Sequence, residues 1–251
     1  MEERLNKWLS QMGVCSRREA DRLIEAGKVL VDNRPASMGQ KVTPGQKVVC
    51  NGRMVRVDKS RKPRPVLLAV NKPRGIVCTT TDKDRAENIV DFLGYPERIY
   101  PVGRLDKDSE GLLLMTNQGD LVNKIMRSGN AHEKEYIVTI DKPVTEHFLE
   151  QMAGGIRLPE LDQVTRPCKV KKVDRNTFSI ILTQGLNRQI RRMCEVCGCQ
   201  VRRLVRVRIM NIRLGNLRTG AYRQITKEEY EELTGLLKDS SSLSLKERKN
   251  Q

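Results

Sequence analysis

Histidine is scarce in this 251-residue chain: there are two, His132 and His147, and neither stands at HExxH spacing or beside a pair of cysteines. Zinc-dependent hydrolysis is therefore not expected. No glycine-rich phosphate loop of the GxxxxGKS or GxGxxG kind is present, which argues against nucleoside triphosphates and dinucleotides. Long apolar runs are missing as well, since none approaches the ~18 residues that cross a bilayer. The opening Met1-Glu2-Glu3-Arg4 lacks the apolar stretch of a signal peptide. A soluble, cytoplasmic protein that makes no use of a membrane is the expectation. The seven cysteines are an odd number, which suits reduced thiols better than a disulfide framework. Cys194, Cys197 and Cys199 cluster, yet no second CxxC and no nearby histidine completes a tetrahedral site, so they read as small buried hydrophobes rather than metal ligands.

Positive charge is what the chain has in excess, with a formal net charge of +16. Residues 1–65 hold fifteen basic and seven acidic side chains, residues 186–213 hold eight and one, and the remainder is nearly neutral. Charge concentrated in two stretches suits a polyanion whose phosphates release counterions on binding. The competing reading is a solvated basic surface. Hydrophobic residues make up 38%, enough for one ordinary core and a small satellite domain.

The spacing of Leu5, Trp8, Leu9 and Met12 predicts a first helix, stopped by Gly13, with Arg4 and Lys7 on its other side. Ser16-Arg17-Arg18-Glu19 has the form of a capping box opening a second helix that Gly27 closes. Ala20, Leu23 and Ile24 face inward there, and Arg17, Arg18 and Arg22 present a basic face suited to a phosphate backbone. Short strands around 28–31 and 47–50 complete a compact α+β unit over residues 1–60. Residues 58–65 are polar and Pro-containing, and we place a linker at 61–65. A second domain, 66–238, opens with an apolar strand at 66–70 and the turn Asn71-Lys72-Pro73-Arg74-Gly75. Further strands are expected at 99–102, 112–115, 136–140 and 177–183, with helices near 89–93, 121–127 and 146–152. Without a regular βαβ period, the fold class is α+β with a mixed, mostly antiparallel sheet flanked by helices. Residues 239–251 are polar and Ser-rich and are expected to be a disordered tail.

Three segments could carry chemistry. In Gly103-Arg104-Leu105-Asp106-Lys107-Asp108-Ser109-Glu110-Gly111, a carboxylate is bracketed by Arg104 and Lys107, and neighbouring cations favour the charged form of a carboxylate. The bland alternative is a surface turn that uses Asp and Gly for their backbone freedom. In Gln184–Met193 a strand gives way to a helix with Arg188, Arg191 and Arg192 on one face, either a phosphate or carboxylate site or a solvated stripe. The continuation Arg202-Arg203-Leu204-Val205-Arg206-Val207-Arg208 extends the positive charge along a strand. Tyr136 is either ordinary core or a stacking surface for an unstacked base.

Residues 4–33, with the turn before Gly45-Gln46-Lys47-Val48, resemble an S4 RNA-binding domain. GRLDKDSEGLL, NKPRG, KEY and GLNRQIRRM stand in the order found in bacterial RNA pseudouridine synthases of the RsuA/RluB/RluE/RluF family, and HEKEYIVTIDKPVT with KIMRSGN is most similar to its F-type members, which modify 23S rRNA. The resemblance implies an isomerase that converts uridine to pseudouridine without cofactor or metal. It implies a catalytic role for Asp106, base stacking by Tyr136 and a pairing of Arg191 with the aspartate. RNA contacts are expected from Arg4, Lys7, Arg17, Arg18, Arg22, Arg104, Lys107, Arg188 and Arg192. The partners it implies are 23S rRNA or a precursor of the large ribosomal subunit, with the anticodon loop of tyrosine tRNA as a second target, and a monomeric enzyme. Two other classes use similar surfaces: a non-catalytic RNA-binding or ribosome-assembly factor, and a nucleic-acid N-glycosidase that releases free base.

Overall fold

The computed structural model describes residues 2–55, 64–79 and 86–240. Most of the expected linker and all but two residues of the expected tail lie outside these. The chain divides into two compact units, Met1–Arg64 and Pro65–Gln251.

In the first unit, helices Leu5–Gln11 and Arg17–Glu25 pack on a small antiparallel sheet whose strand order is Arg34–Pro35, Val29–Val31, Val48–Cys50, Arg53–Met54. Leu5, Leu9, Ala20, Ile24, Val29 and Val48 form its core, with Trp8 packed against it. Asp32 and Asn33 both take positive φ, 50° and 64°, the backbone that a two-residue hairpin turn requires. The expected capping box is half formed. Ser16 Oγ accepts the Glu19 amide at 3.1 Å, but the Glu19 carboxylate turns instead to Arg22 Nη1 at 3.2 Å, because a charged partner one turn away competes with the backbone.

The second unit is built on a nine-stranded sheet. Its main path runs Lys169–Asp174, Thr177–Leu182, Lys134–Ile140, Val201–Ile209, Glu110–Thr116, Leu67–Lys72, Tyr222–Gln224, with Ile212–Arg213 and Tyr100–Val102 as side branches. Every pairing is antiparallel except that of Val201–Ile209 with Glu110–Thr116, so the sheet is mixed and mostly antiparallel, as the α+β class requires. Leu67–Lys72 and Glu110–Thr116 are buried on both faces: Leu67, Ala69, Leu112 and Leu114 enter one core, Leu68, Val70, Leu113 and Met115 another. That explains their unbroken apolar runs, where a half-exposed strand would alternate. Helices Glu146–Gly154 and Gln189–Val196 cover the other half of the sheet, closing a third core around Phe148, Met152, Phe178, Ile180, Met193 and Cys194. Burial there pushes the Cys194 thiol far up, as befits a core residue rather than a ligand. None of the described helices is long and apolar enough to cross a membrane.

Candidate active site

The loop that carries Asp106 runs from strand Tyr100–Val102 to strand Glu110–Thr116 and is clamped from below by the Asn71–Gly75 turn. Lys72 is fully buried, and its Nζ donates to the carbonyls of Pro73 at 2.7 Å, Ser109 at 2.8 Å and Lys107 at 3.5 Å. Desolvation lowers its pKa against the pull of Cys78 and Asp106. The Gly75 amide adds a hydrogen bond to the Lys107 carbonyl at 2.8 Å, and the Leu105 amide donates to Cys78 Sγ at 3.4 Å. Leu105 and Ser109 are buried, Lys107 and Asp108 form the exposed tip, and Asp106 is half-buried between them. The loop is thus both a turn and a platform: its ends are fixed by core contacts, leaving one carboxylate aimed into a cavity. Gly111, at φ 102°, lets the Arg206 backbone approach, because a Cβ there would meet the Arg206 carbonyl oxygen.

The cavity measures about 300 Å³, and Asp106, Arg104, Tyr136, Arg188 and Arg191 all line it. Tyr136 stands on strand Lys134–Ile140, across the ladder from Arg206 on one side and Ile180 on the other. Its ring packs against two of the cores while remaining part of the cavity wall, so the core and stacking readings are compatible. Helix Gln189–Val196 starts at Arg188, whose φ of 49° is left-handed, and the buried Gln189 side chain accepts the Leu186 amide at 3.1 Å.

Arg191 is not ion-paired with Asp106. Its Nη2 donates to the Asp108 carbonyl at 3.1 Å and Ser109 Oγ at 3.5 Å, its Nη1 to the Val201 carbonyl at 3.4 Å, and its buried Nε has no partner. The guanidinium braces the loop that holds the aspartate rather than the aspartate itself. Burial and the nearby Arg188 charge lower its pKa, while Asp106 and Asp108 oppose the shift. Arg192 is engaged by Glu160 and by Asn187. Arg104 and Arg188 are exposed members of the cavity wall, and Lys107 is exposed at the loop tip.

The positive charge expected along 202–208 does lie on a strand, Val201–Ile209, with Arg202 and Arg203 exposed, but most of it has carboxylate partners. Arg203 pairs with Glu110 at 2.6 Å, Arg208 with Glu135 at 2.8 Å and Glu133 at 2.9 Å, and Arg202 approaches Asp141 at 3.9 Å. Arg206 is 2% exposed. Their carboxylate partners come from strands and loops that sequence proximity does not reveal. In the first unit, Arg4, Arg17, Arg18 and Arg22 are exposed, Arg22 with Glu19 beside it, and Lys7 pairs with Glu3 at 3.0 Å. Two cavity residues, Lys134 and Arg206, escaped the sequence reading. Alternation held the signal: Lys134 shares its side of the strand with Val138 and Ile140, and Arg206 lies two residues from the buried Leu204.

The sequence pattern of RNA pseudouridylate synthases matches residues 66–196, and that of S4 domains matches residues 3–48. The dual-specificity RNA pseudouridine synthase RluF of Escherichia coli (strain K12) is 52% identical over 239 residues, covering 95% of this chain and 81% of that protein. Ribosomal large subunit pseudouridine synthase B of Bacillus subtilis (strain 168) is 35% identical over 240 residues, covering 93% and 96%. A crystal structure of a pseudouridylate synthase superposes with a TM-score of 0.67 at 28% identity, covering 92% of this chain and 99% of that one. With likeness over nearly its whole length, this chain belongs to the RNA pseudouridylate synthase family and is a pseudouridine synthase with an N-terminal S4 domain.

Proposed function

We propose that the cavity receives an unstacked uridine of 23S rRNA, and the anticodon loop of tyrosine tRNA as a second substrate, with Asp106 as the catalytic carboxylate. The observation that supports this most is the convergence of Asp106, Tyr136 and Arg191, far apart in the chain, on one cavity large enough for a single base. Isomerisation breaks the N1–C1′ bond, turns the uracil in place and rejoins it through C5, with no net redox change and no water consumed. Asp106 serves either by adding to the nucleotide or by removing a sugar proton. Taking the base out of its stack costs a few kcal/mol, which the Tyr136 ring offsets by stacking. Arg191 keeps the carboxylate in register by holding the Asp108 carbonyl and the Ser109 hydroxyl. Arg104, Lys107 and Arg188 meet phosphates at the rim, with Arg192 held back by Glu160. The 1–60 unit grips structured RNA through Arg4, Lys7, Arg17, Arg18 and Arg22. With these substrates the enzyme works in the cytoplasm.

The test is to incubate the protein separately with 23S rRNA, 16S rRNA and tyrosine tRNA, and to map pseudouridine by chemical modification and primer extension. Pseudouridine at a defined 23S position is the expected result. Modification confined to 16S rRNA would reassign the substrate within the family.

A further inference from the structure

Two cations in the cavity wall pair with no carboxylate among the described residues. Lys134 and Arg206 are 6% and 2% exposed. The Lys134 Nζ donates to the His132 carbonyl at 3.3 Å. Arg206 spends its Nε on the Leu112 carbonyl at 2.7 Å and its Nη1 on the Arg104 carbonyl at 3.5 Å, and its Nη2 is buried with no partner. Among the described residues neither pairs with a carboxylate, although Arg202, Arg203 and Arg208 of the same strand all do. Burial, with the Arg206 charge close by, pushes the Lys134 ammonium down to about 8. Two like charges and a spare donor, taken out of water together, are costly unless something negative joins them.

We propose that Lys134 and Arg206 form the subsite that holds the negative charge of the uracil while it is detached from the ribose, an inference that rests on the uridine isomerisation above. When the N1–C1′ bond breaks, its electron pair goes to the base, and conjugation spreads the charge onto O2 and O4. Turning the ring about its N3–C6 axis exchanges N1 with C5 and, at the same time, O2 with O4. A subsite of fixed donors therefore meets a carbonyl oxygen both before and after the turn. C5 then supplies the pair for the C5–C1′ bond, its proton passes to water, and N1 takes a proton from water. Donors already in place in a buried site need no reorganisation as the charge develops. The other charged groups facing Lys134 across the cavity are Arg104 and Asp106 from the loop and Arg188 and Arg191 from the helix start, so cations outnumber the one carboxylate. A backbone phosphate is the other anion an RNA offers, and the depth of both side chains favours the base.

The test compares the full-length enzyme with Lys134→Met and Lys134→Arg, measuring melting temperature, RNA affinity with its salt dependence, and single-turnover isomerisation against pH. The expected result for Lys134→Met is a rate lower by about a hundredfold, the size of loss seen when one such donor is removed. Its affinity and salt slope should be unchanged. Lys134→Arg should restore most of the rate and lack the fall in single-turnover rate expected of the wild type as pH rises through about 8. A Lys134→Met enzyme that keeps the wild-type rate overturns the proposal, as does one that loses affinity and salt slope together, the signature of a phosphate contact. If Lys134→Met does not fold, the pH comparison decides alone, and the same fall in wild type and Lys134→Arg counts against the subsite. A wild-type enzyme that makes no pseudouridine overturns the isomerisation reading with it, whereas product formation indifferent to Lys134 overturns this inference only.

Discussion

The two basic stretches of the chain use their charge in opposite ways. On helix Arg17–Glu25 the arginines are exposed, and the pairs Lys7 with Glu3 and Arg22 with Glu19 join near neighbours, with Lys41 reaching Glu2 at 2.9 Å from further along the unit. Such pairs contribute about 0.3–0.5 kcal/mol and yield readily to a phosphate. Along Val201–Ile209 the arginines are tied to carboxylates far away in sequence or sunk into the cavity wall. The nearly neutral remainder of the chain supplies those carboxylates, Glu110, Glu133, Glu135 and Asp141, so similar net charge in two segments corresponds to different fields outside the molecule. The arginines of helix Arg17–Glu25 stay at the surface, whereas Arg206 and Arg208 of strand Val201–Ile209 hold the sheet together and shape the site.

The sharpest way to break this contrast is Arg208→Met. It leaves Glu135 without its arginine and Glu133 with only the more distant Lys169, and should cost about 2 kcal/mol of unfolding free energy, while leaving the salt dependence of RNA binding untouched. Denaturant unfolding and a binding titration across salt check both halves. Next in size is Arg191→Lys, which cannot span the Asp108 and Val201 carbonyls together. A tenfold slower single turnover, about 1.4 kcal/mol at the transition state, with unchanged RNA affinity is expected. Arg17→Ala with Arg18→Ala should do the reverse of Arg208→Met: the melting temperature stays put, and the slope of log affinity against log salt falls by about one per arginine. A last contrast lies in stability against pH. Lys134 has a folded pKa of about 8 against an ordinary lysine value of 10.5, so between those values the unfolded chain binds more protons. Stability should therefore rise with pH across that window, relative to Lys134→Met, which has nothing there to titrate.

Much of the fold is legible in the sequence, because local patterns and local caps dictate it. Helix Ile89–Leu93 falls where its apolar spacing puts it, and the expected strands lie within two residues of those observed. Strand Lys169–Asp174 was missed because it is an edge strand whose lysines keep it from pairing further, so its apolar alternation is weak. Helix Lys227–Leu236 was missed although Thr226 and Glu229 form a complete capping box in front of it. The site divides along the same line. Asp106, Tyr136 and Arg191 are readable from their motifs. What escaped is everything decided by partners distant in the chain: the Glu160 that occupies Arg192, the carboxylates that neutralise the 202–208 strand, and the backbone carbonyls that draw Arg191 away from Asp106.

The claim that one clamped carboxylate performs the reaction is tested most directly by single-turnover pseudouridine formation in purified Asp106→Asn, measured beside Asp108→Asn at the exposed tip of the same loop. The account predicts no detectable product from Asp106→Asn with RNA affinity within about threefold of wild type, and measurable activity from Asp108→Asn. Pseudouridine formed by Asp106→Asn would contradict it.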